Sequence, residues 1–191
     1  MRTFNEELNQ HIAVMNTTQQ CSESVEAAAN LLMATFQSGN KLLLCGNGGS
    51  AADAQHIAAE FVVRYEQKRR ALPAIALTTD SSILTAHAND FDFDSVFARQ
   101  IEALGNAGDT LIAISTSGNS KNIIQAAQIA RAKNLNVIAL TGKSGGGLIN
   151  IATLTITVPS SVTARIQETH ILIGHYWCGV VEERLNVSES A

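Results

Sequence analysis

The sequence is poor in several kinds of residue, and each shortage narrows what it can be. Proline occurs twice in 191 residues, charged side chains make up 16% and aromatics 5%, while 46% of the chain is hydrophobic. That balance excludes a disordered or low-complexity chain and fits a globule able to bury a single α/β core. Cysteine is equally sparse. Cys21, Cys45 and Cys178 are odd in number and show no CxxC spacing, which argues against a disulfide framework and for reduced thiols in the cytoplasm. No apolar stretch approaches the roughly 20 residues that span a bilayer, and Met1 to Glu7 lack the apolar core of a secretory leader, so no membrane association is expected. The formal charge of −4 supplies no basic field for nucleic acid or an anionic membrane. An anionic ligand would have to be met by locally placed donors.

What the chain does have is alternation. Apolar positions recur at helical spacing from residue 3 to 37, and Ser38-Gly39-Asn40 stops them, so residues 1–40 read as one or two N-terminal helices docking on the core or on a neighbouring subunit. Residues 41–185 then alternate strand and helix. The predicted strands are 41–45, 73–79, 110–115, 136–141 and 153–159. Helices are expected over 51–65, 82–87, 93–104, 120–133 and 163–185, and residues 186–191 form a frayed tail. Parallel neighbours need crossover connections, so the expected architecture is α/β: a flavodoxin-like, doubly wound, five-stranded parallel sheet. Ligands of such sheets collect outside the carboxyl ends of the strands.

Two polar turns fall there. Ser115-Thr116-Ser117-Gly118-Asn119-Ser120 places four hydroxyls and a glycine between a strand and a helix start, more than an ordinary N-cap needs and suited to a phosphate. Cys45-Gly46-Asn47-Gly48-Gly49-Ser50-Ala51 formally fits a dinucleotide fingerprint. Its ribose-binding acid should follow by about 20 residues. The nearest candidate, Asp80, lies 34 positions beyond Gly46. No nucleotide cofactor is therefore expected, and a sugar phosphate would use both turns. On the helix after the Gly-rich turn, His56 and Glu60 stand at i, i+4 and emerge on one face. That spacing serves equally a surface ion pair or shared chemistry.

The two turns together resemble the sugar isomerase (SIS) domain. Asp53-Ala54-Gln55-His56, Glu60, Asn89-Asp90 and Arg165-Ile166-Gln167-Glu168, followed by His170 and His175, resemble more closely the phosphoheptose isomerase branch over residues 41 to 185. The resemblance implies conversion of sedoheptulose 7-phosphate to D-glycero-D-manno-heptose 7-phosphate through an enediol, supplying heptose for the bacterial lipopolysaccharide core. It implies Glu60 and His175 as catalytic residues. Substrate would be bound by Asn47, Gly48, Gly49, Ser50, Glu60, Asn89, Asp90, Ser115, Thr116, Ser117, Ser120 and Gln167. It also implies zinc, one per subunit, held by His56, Glu60, Gln167 and His175, and a homotetramer with sites near subunit interfaces. His11, His87 and His170 carry no such role; His11 and His87 read as structural, and His170 as structural or as a support behind the site residues. Some members have an acid immediately before Arg165 where this chain has Ala164. Related SIS proteins include a non-catalytic replication-initiator adaptor and phosphosugar-sensing regulators; Glu60 with His175 argues for the enzyme.

One geometric condition follows. A continuous helix separates the Cα atoms of Gln167 and His175 by about 12 Å. To share one ion, these side chains must lean together, the helix must break, or the ligands must come from different subunits.

Overall fold

Thr3 opens the first helix, α1 (Phe4–Thr18), with a capping box: its hydroxyl accepts the Glu6 N–H at 3.3 Å and the Glu6 carboxylate accepts the Thr3 N–H at 2.7 Å. The computed structural model describes residues 1–185, so the expected tail lies outside the described residues. A 3-10 turn, Gln19–Cys21, separates α1 from α2 (Ser22–Gln37). The remaining elements are β1 (Leu42–Gly46), α3 (Gly49–Val62), β2 (Ala74–Ala76), α4 (Ser81–Asp90), α5 (Val96–Leu104), β3 (Thr110–Ser115), α6 (Lys121–Ala132), β4 (Asn136–Gly142), β5 (Leu154–Val158) and α7 (Thr163–Leu185), with a 3-10 turn at Gly146–Asn150.

The five strands form one wholly parallel sheet in the order β2-β1-β3-β4-β5, the expected flavodoxin-like arrangement. Alternate residues of the buried strands face opposite layers, which is why these strands read as apolar runs rather than as alternation. Leu42, Leu44, Ile112, Ile114, Ile138 and Leu140 pack with α2, α3 and α7 on one face. Leu43, Leu111, Ala113, Val137 and Ala139 pack with α5 and α6 on the other. Helix α2 joins the first core through Ala28, Ala29, Leu32 and Phe36, whereas α1 buries no residue. All three cysteines are free and buried, and burial pushes the Cys45 thiol up to about 12. Among the described residues no helix is long and apolar enough to cross a membrane.

Several boundaries differ from the sequence expectation: α4 runs on to Asp90 and α5 starts only at Val96, and two further differences have a visible cause. Helix α3 ends at Val62 rather than residue 65, because its last carbonyls are taken by other donors: Arg69 gives N–H bonds to Glu60 O (2.7 Å) and Phe61 O (2.8 Å), and Leu72 N bonds Phe61 O at 3.1 Å. Strand β2 is three residues long, because beyond Leu77 the chain turns toward α4, whose start is fixed by Asp80 capping the Ile83 N–H at 3.0 Å.

Candidate active site

The sheet winds outward in both directions from between β1 and β3, and the crevice at such a switch point opens at the strands' carboxyl ends. Both polar turns border it. Gly48 and Ser120 immediately precede α3 and α6, and neither start carries a side-chain cap, unlike α1 and α4. Ser50 N and Ala51 N are taken by Asn47 O and Gly48 O at 3.0 Å, and Ile123 N by Ser120 O at 3.1 Å, so the N–H groups left to an anion at the two starts are those of Gly49, Lys121 and Asn122. A Cβ on Gly46 would lie 2.4 Å from Ser50 O, so glycine is needed for α3 to begin against its own strand.

In the hydroxyl turn, Ser115 and Ser120 approach within 3.1 Å, joining the strand's end to the residue just before α6. Asn119 N donates to Ser117 Oγ at 3.2 Å. The turn is braced from outside by Gly147 N on Asn119 Oδ1 (2.9 Å) and Leu148 N on Gly118 O (3.1 Å). Gly118 has φ +67°, and a Cβ there would fall 1.9 Å from Gly145 O, so the bracing requires glycine. Asn47 and Asn122 face each other as a reciprocal amide pair, each donating to the other at 2.9 Å, and so tie the Gly-rich turn to α6. The sequence held no signal for Asn122.

The second cluster lies farther along α3. His56 Nε2 is 3.2 Å from Glu60 Oε1 and 3.4 Å from His175 Nε2, with the two imidazoles edge to face at 5.0 Å between centroids. Helices α3 and α7 pack side by side, and Gly174 admits Ile57 so closely that a Cβ would sit 2.6 Å from its Cδ1. Asp53, one turn before His56, has a buried Oδ2 with no hydrogen-bond partner; burial raises its pKa, opposed by the charge of His56.

Gln167 is elsewhere. Helix α7 runs unbroken through Leu185, and the Gln167 amide rests on Gly49, where a Cβ would be 2.5 Å from Nε2. It therefore belongs with the Gly-rich turn, and the four residues expected to share zinc are not gathered in one chain. Its neighbours Arg165 and Glu168 face α1: Arg165 donates to Glu7 O at 2.7 Å and to Glu168 at 2.6 Å, and Glu168 meets His11 Nδ1 at 2.8 Å. These two signature residues anchor α1, leaving Gln167 facing the crevice turn. Asn89 donates to Asp90 at 2.8 Å, and both stand exposed at the end of α4. His170 is fully buried, its Nε2 3.0 Å from Thr141 O, and His87 meets Ser95 at 2.8 Å.

A parallel sheet with open helix starts at its switch point, one of them rich in hydroxyls, is the arrangement of a SIS domain, and that family's model matches residues 3–142. The phosphoheptose isomerase of Citrifermentans bemidjiense is 52% identical over 182 residues, covering 95% of each chain. That of a Roseiflexus species is 56% identical over 161 residues, covering 84% of this chain and 82% of the other. The solved structure of phosphoheptose isomerase from Neisseria gonorrhoeae superposes with a TM-score of 0.89 at 43% identity, over 94% of this chain and 96% of that one. This chain belongs to the phosphoheptose isomerase family.

Proposed function

We propose that the protein is a cytoplasmic aldose–ketose isomerase converting sedoheptulose 7-phosphate to D-glycero-D-manno-heptose 7-phosphate. The observation that carries this reading is the convergence of His56, Glu60 and His175 in a chain whose open helix starts suit a phosphosugar. Moving a carbonyl from C2 to C1 requires a proton to leave C1 and return at C2, while a second proton passes from O1 to O2. Glu60 is the base that takes the carbon-bound proton and gives it back across the face of a cis-enediol. His175 moves the proton between the oxygens. Ser115, Thr116, Ser117 and Ser120 hold the phosphate, and Asn47, Gly48, Gly49, Ser50, Asn89, Asp90 and Gln167 meet the sugar.

Glu60 lies eleven positions along α3 from Gly49, about 16 Å of helix rise, and Gln167, which rests on Gly49, is as far from the His56–His175 pair as α7 is long between them. On this reading one site combines the cradle of one subunit with Glu60 and His175 of another. The surface supports such an assembly. Phe4, Leu8 and Ile12 form an exposed apolar stripe on α1, and Val62, Val63, Ile75 and Ile83 are exposed around the end of α3, β2 and α4. Two apolar surfaces are what a homotetramer with two kinds of interface would bury.

Zinc fits part of the cluster. Ligand atoms around tetrahedral zinc stand about 3.3 Å apart, given bonds of about 2.0–2.1 Å, and the His56–Glu60 and His56–His175 separations of 3.2 and 3.4 Å match two such edges. Among the described residues, however, no three His, Cys, Asp or Glu side chains stand as a closed metal cage. His56, Glu60 and His175 would hold the ion, with Gln167 joining only from another subunit. Bound there, zinc would polarise the two sugar oxygens. Turnover of sedoheptulose 7-phosphate by the purified protein, with and without chelator, tests the whole reading. Absence of product under both conditions would favour a non-catalytic SIS adaptor.

A further inference from the structure

The segment after α3 is held by contacts that the reaction, as described, does not use. Glu182 on α7 is buried, and its carboxylate accepts three consecutive backbone N–H groups: Tyr65 at 2.7 Å on one oxygen, Glu66 and Gln67 at 2.9 Å on the other. Arg69 Nε adds a fourth bond at 3.0 Å, and both side chains of this ion pair are 2% exposed. Burial pushes the Glu182 carboxyl up, but the three N–H groups and Arg69 together outweigh it and hold the group below its ordinary range. A buried ion pair persists only where its remaining hydrogen-bonding capacity is met, and here it is met by main chain.

What this clamp places is specific. The Tyr65 ring is stacked on the His175 imidazole, with centroids 5.5 Å apart and planes 27° from parallel. The same Arg69 guanidinium binds Glu60 O at 2.7 Å, fixing the backbone of the other acid/base residue. Glu182 and His175 are seven residues apart on α7, two turns along one helix face. An imidazole with its face covered by Tyr65 and Nε2 engaged with His56 cannot turn about its ring axis without losing both contacts.

We propose that Tyr65, fixed by the Glu182–Arg69 clamp, is a positioning residue that sets the orientation of the His175 ring for proton transfer at the sugar oxygens. This rests on the reading of His175 as the oxygen acid/base. Tyr65 is half-buried, lies outside the helices and packs on the edge of the first core, so the melting temperature of each variant is measured alongside its activity.

The test compares Tyr65→Phe, which keeps the stack, with Tyr65→Leu and Tyr65→Gln, which remove it. The non-aromatic variants should lose about ten- to a hundred-fold in kcat, the scale of a misplaced catalytic group, while KM and calorimetric substrate affinity stay within about twofold. Tyr65→Phe should restore kcat. In NMR spectra, the ring-current shift of the His175 Hε1 proton should persist in Tyr65→Phe and vanish in Tyr65→Leu. Adding Tyr65→Leu to His175→Gln should slow the reaction no further. Unchanged kcat in both non-aromatic variants, or a loss confined to KM, overturns the proposal. An active His175→Gln overturns the reading beneath it, and the ring-current comparison, which needs no turnover, tells the two failures apart.

Discussion

Acidification should unfold this protein through one histidine that the chemistry does not use. His170 is fully buried, with Nε2 bonded to Thr141 O and Nδ1 without a partner, and burial depresses its pKa to about 4, opposed by the Thr141 bond. In the unfolded chain the same group titrates near 6.5. Between these values the unfolded state binds the extra proton, so stability rises with pH there. His170's contribution is complete above pH 6.5 and is lost as pH falls toward 4, a change of about 3 kcal/mol at about 1.4 kcal/mol per pKa unit. Urea unfolding from pH 7.5 to 4.5, at one protein concentration and without metal, measures it for the wild type and for His170→Gln, which keeps a donor for Thr141 O but cannot titrate. His56, His175 and the carboxylates contribute to both curves and cancel in the difference. The wild type should therefore show an additional slope approaching one proton across this window. Parallel curves would refute the buried-neutral account of His170.

Glu60→Gln should abolish turnover and solvent-deuterium incorporation at the substrate carbon while sugar-phosphate binding survives, compared at matched metal occupancy; wild-type exchange would reassign the carbon base. Replacing Ser115 and Ser120 by Ala removes two donors to a charged phosphate, each worth about 1.5–3 kcal/mol, so calorimetric affinity should fall at least tenfold. Gly118→Ala should both lower the melting temperature and weaken phosphate binding, because the new Cβ meets Gly145 O; an unchanged variant would show that the turn does not need its bracing.

Much of this was legible before the structure because it is written in local signals. The apolar runs at 41–45 and 110–115 could only be doubly covered strands, and the hydroxyl-rich turn after Ser115 announced an open helix start. His56 and Glu60 were readable because helical spacing alone puts them on one face. The His175 partnership came from resemblance, since a histidine amid Ile171, Leu172 and Ile173 gives no local hint of an exposed edge. The Arg69–Glu182 clamp was invisible: its members are 113 residues apart and each looks like an ordinary surface charge. So was the turning of Gln167 toward Gly49, which depends on how α7 docks along α3 rather than on any pattern within either helix. The early end of α3 has a nearer cause, the Arg69 guanidinium eight and nine residues further on taking carbonyls that another turn of helix would have used.

The distance along α3 between the Gly-rich turn and Glu60 has a consequence for how damage spreads. On the reading above, every subunit lends its cradle to one reaction centre and its acid/base pair to a different one. A subunit with both ends broken would silence two centres. Two subunits broken at opposite ends could still make one sound centre between them, so inactive variants of the two kinds should rescue each other when their subunits are exchanged.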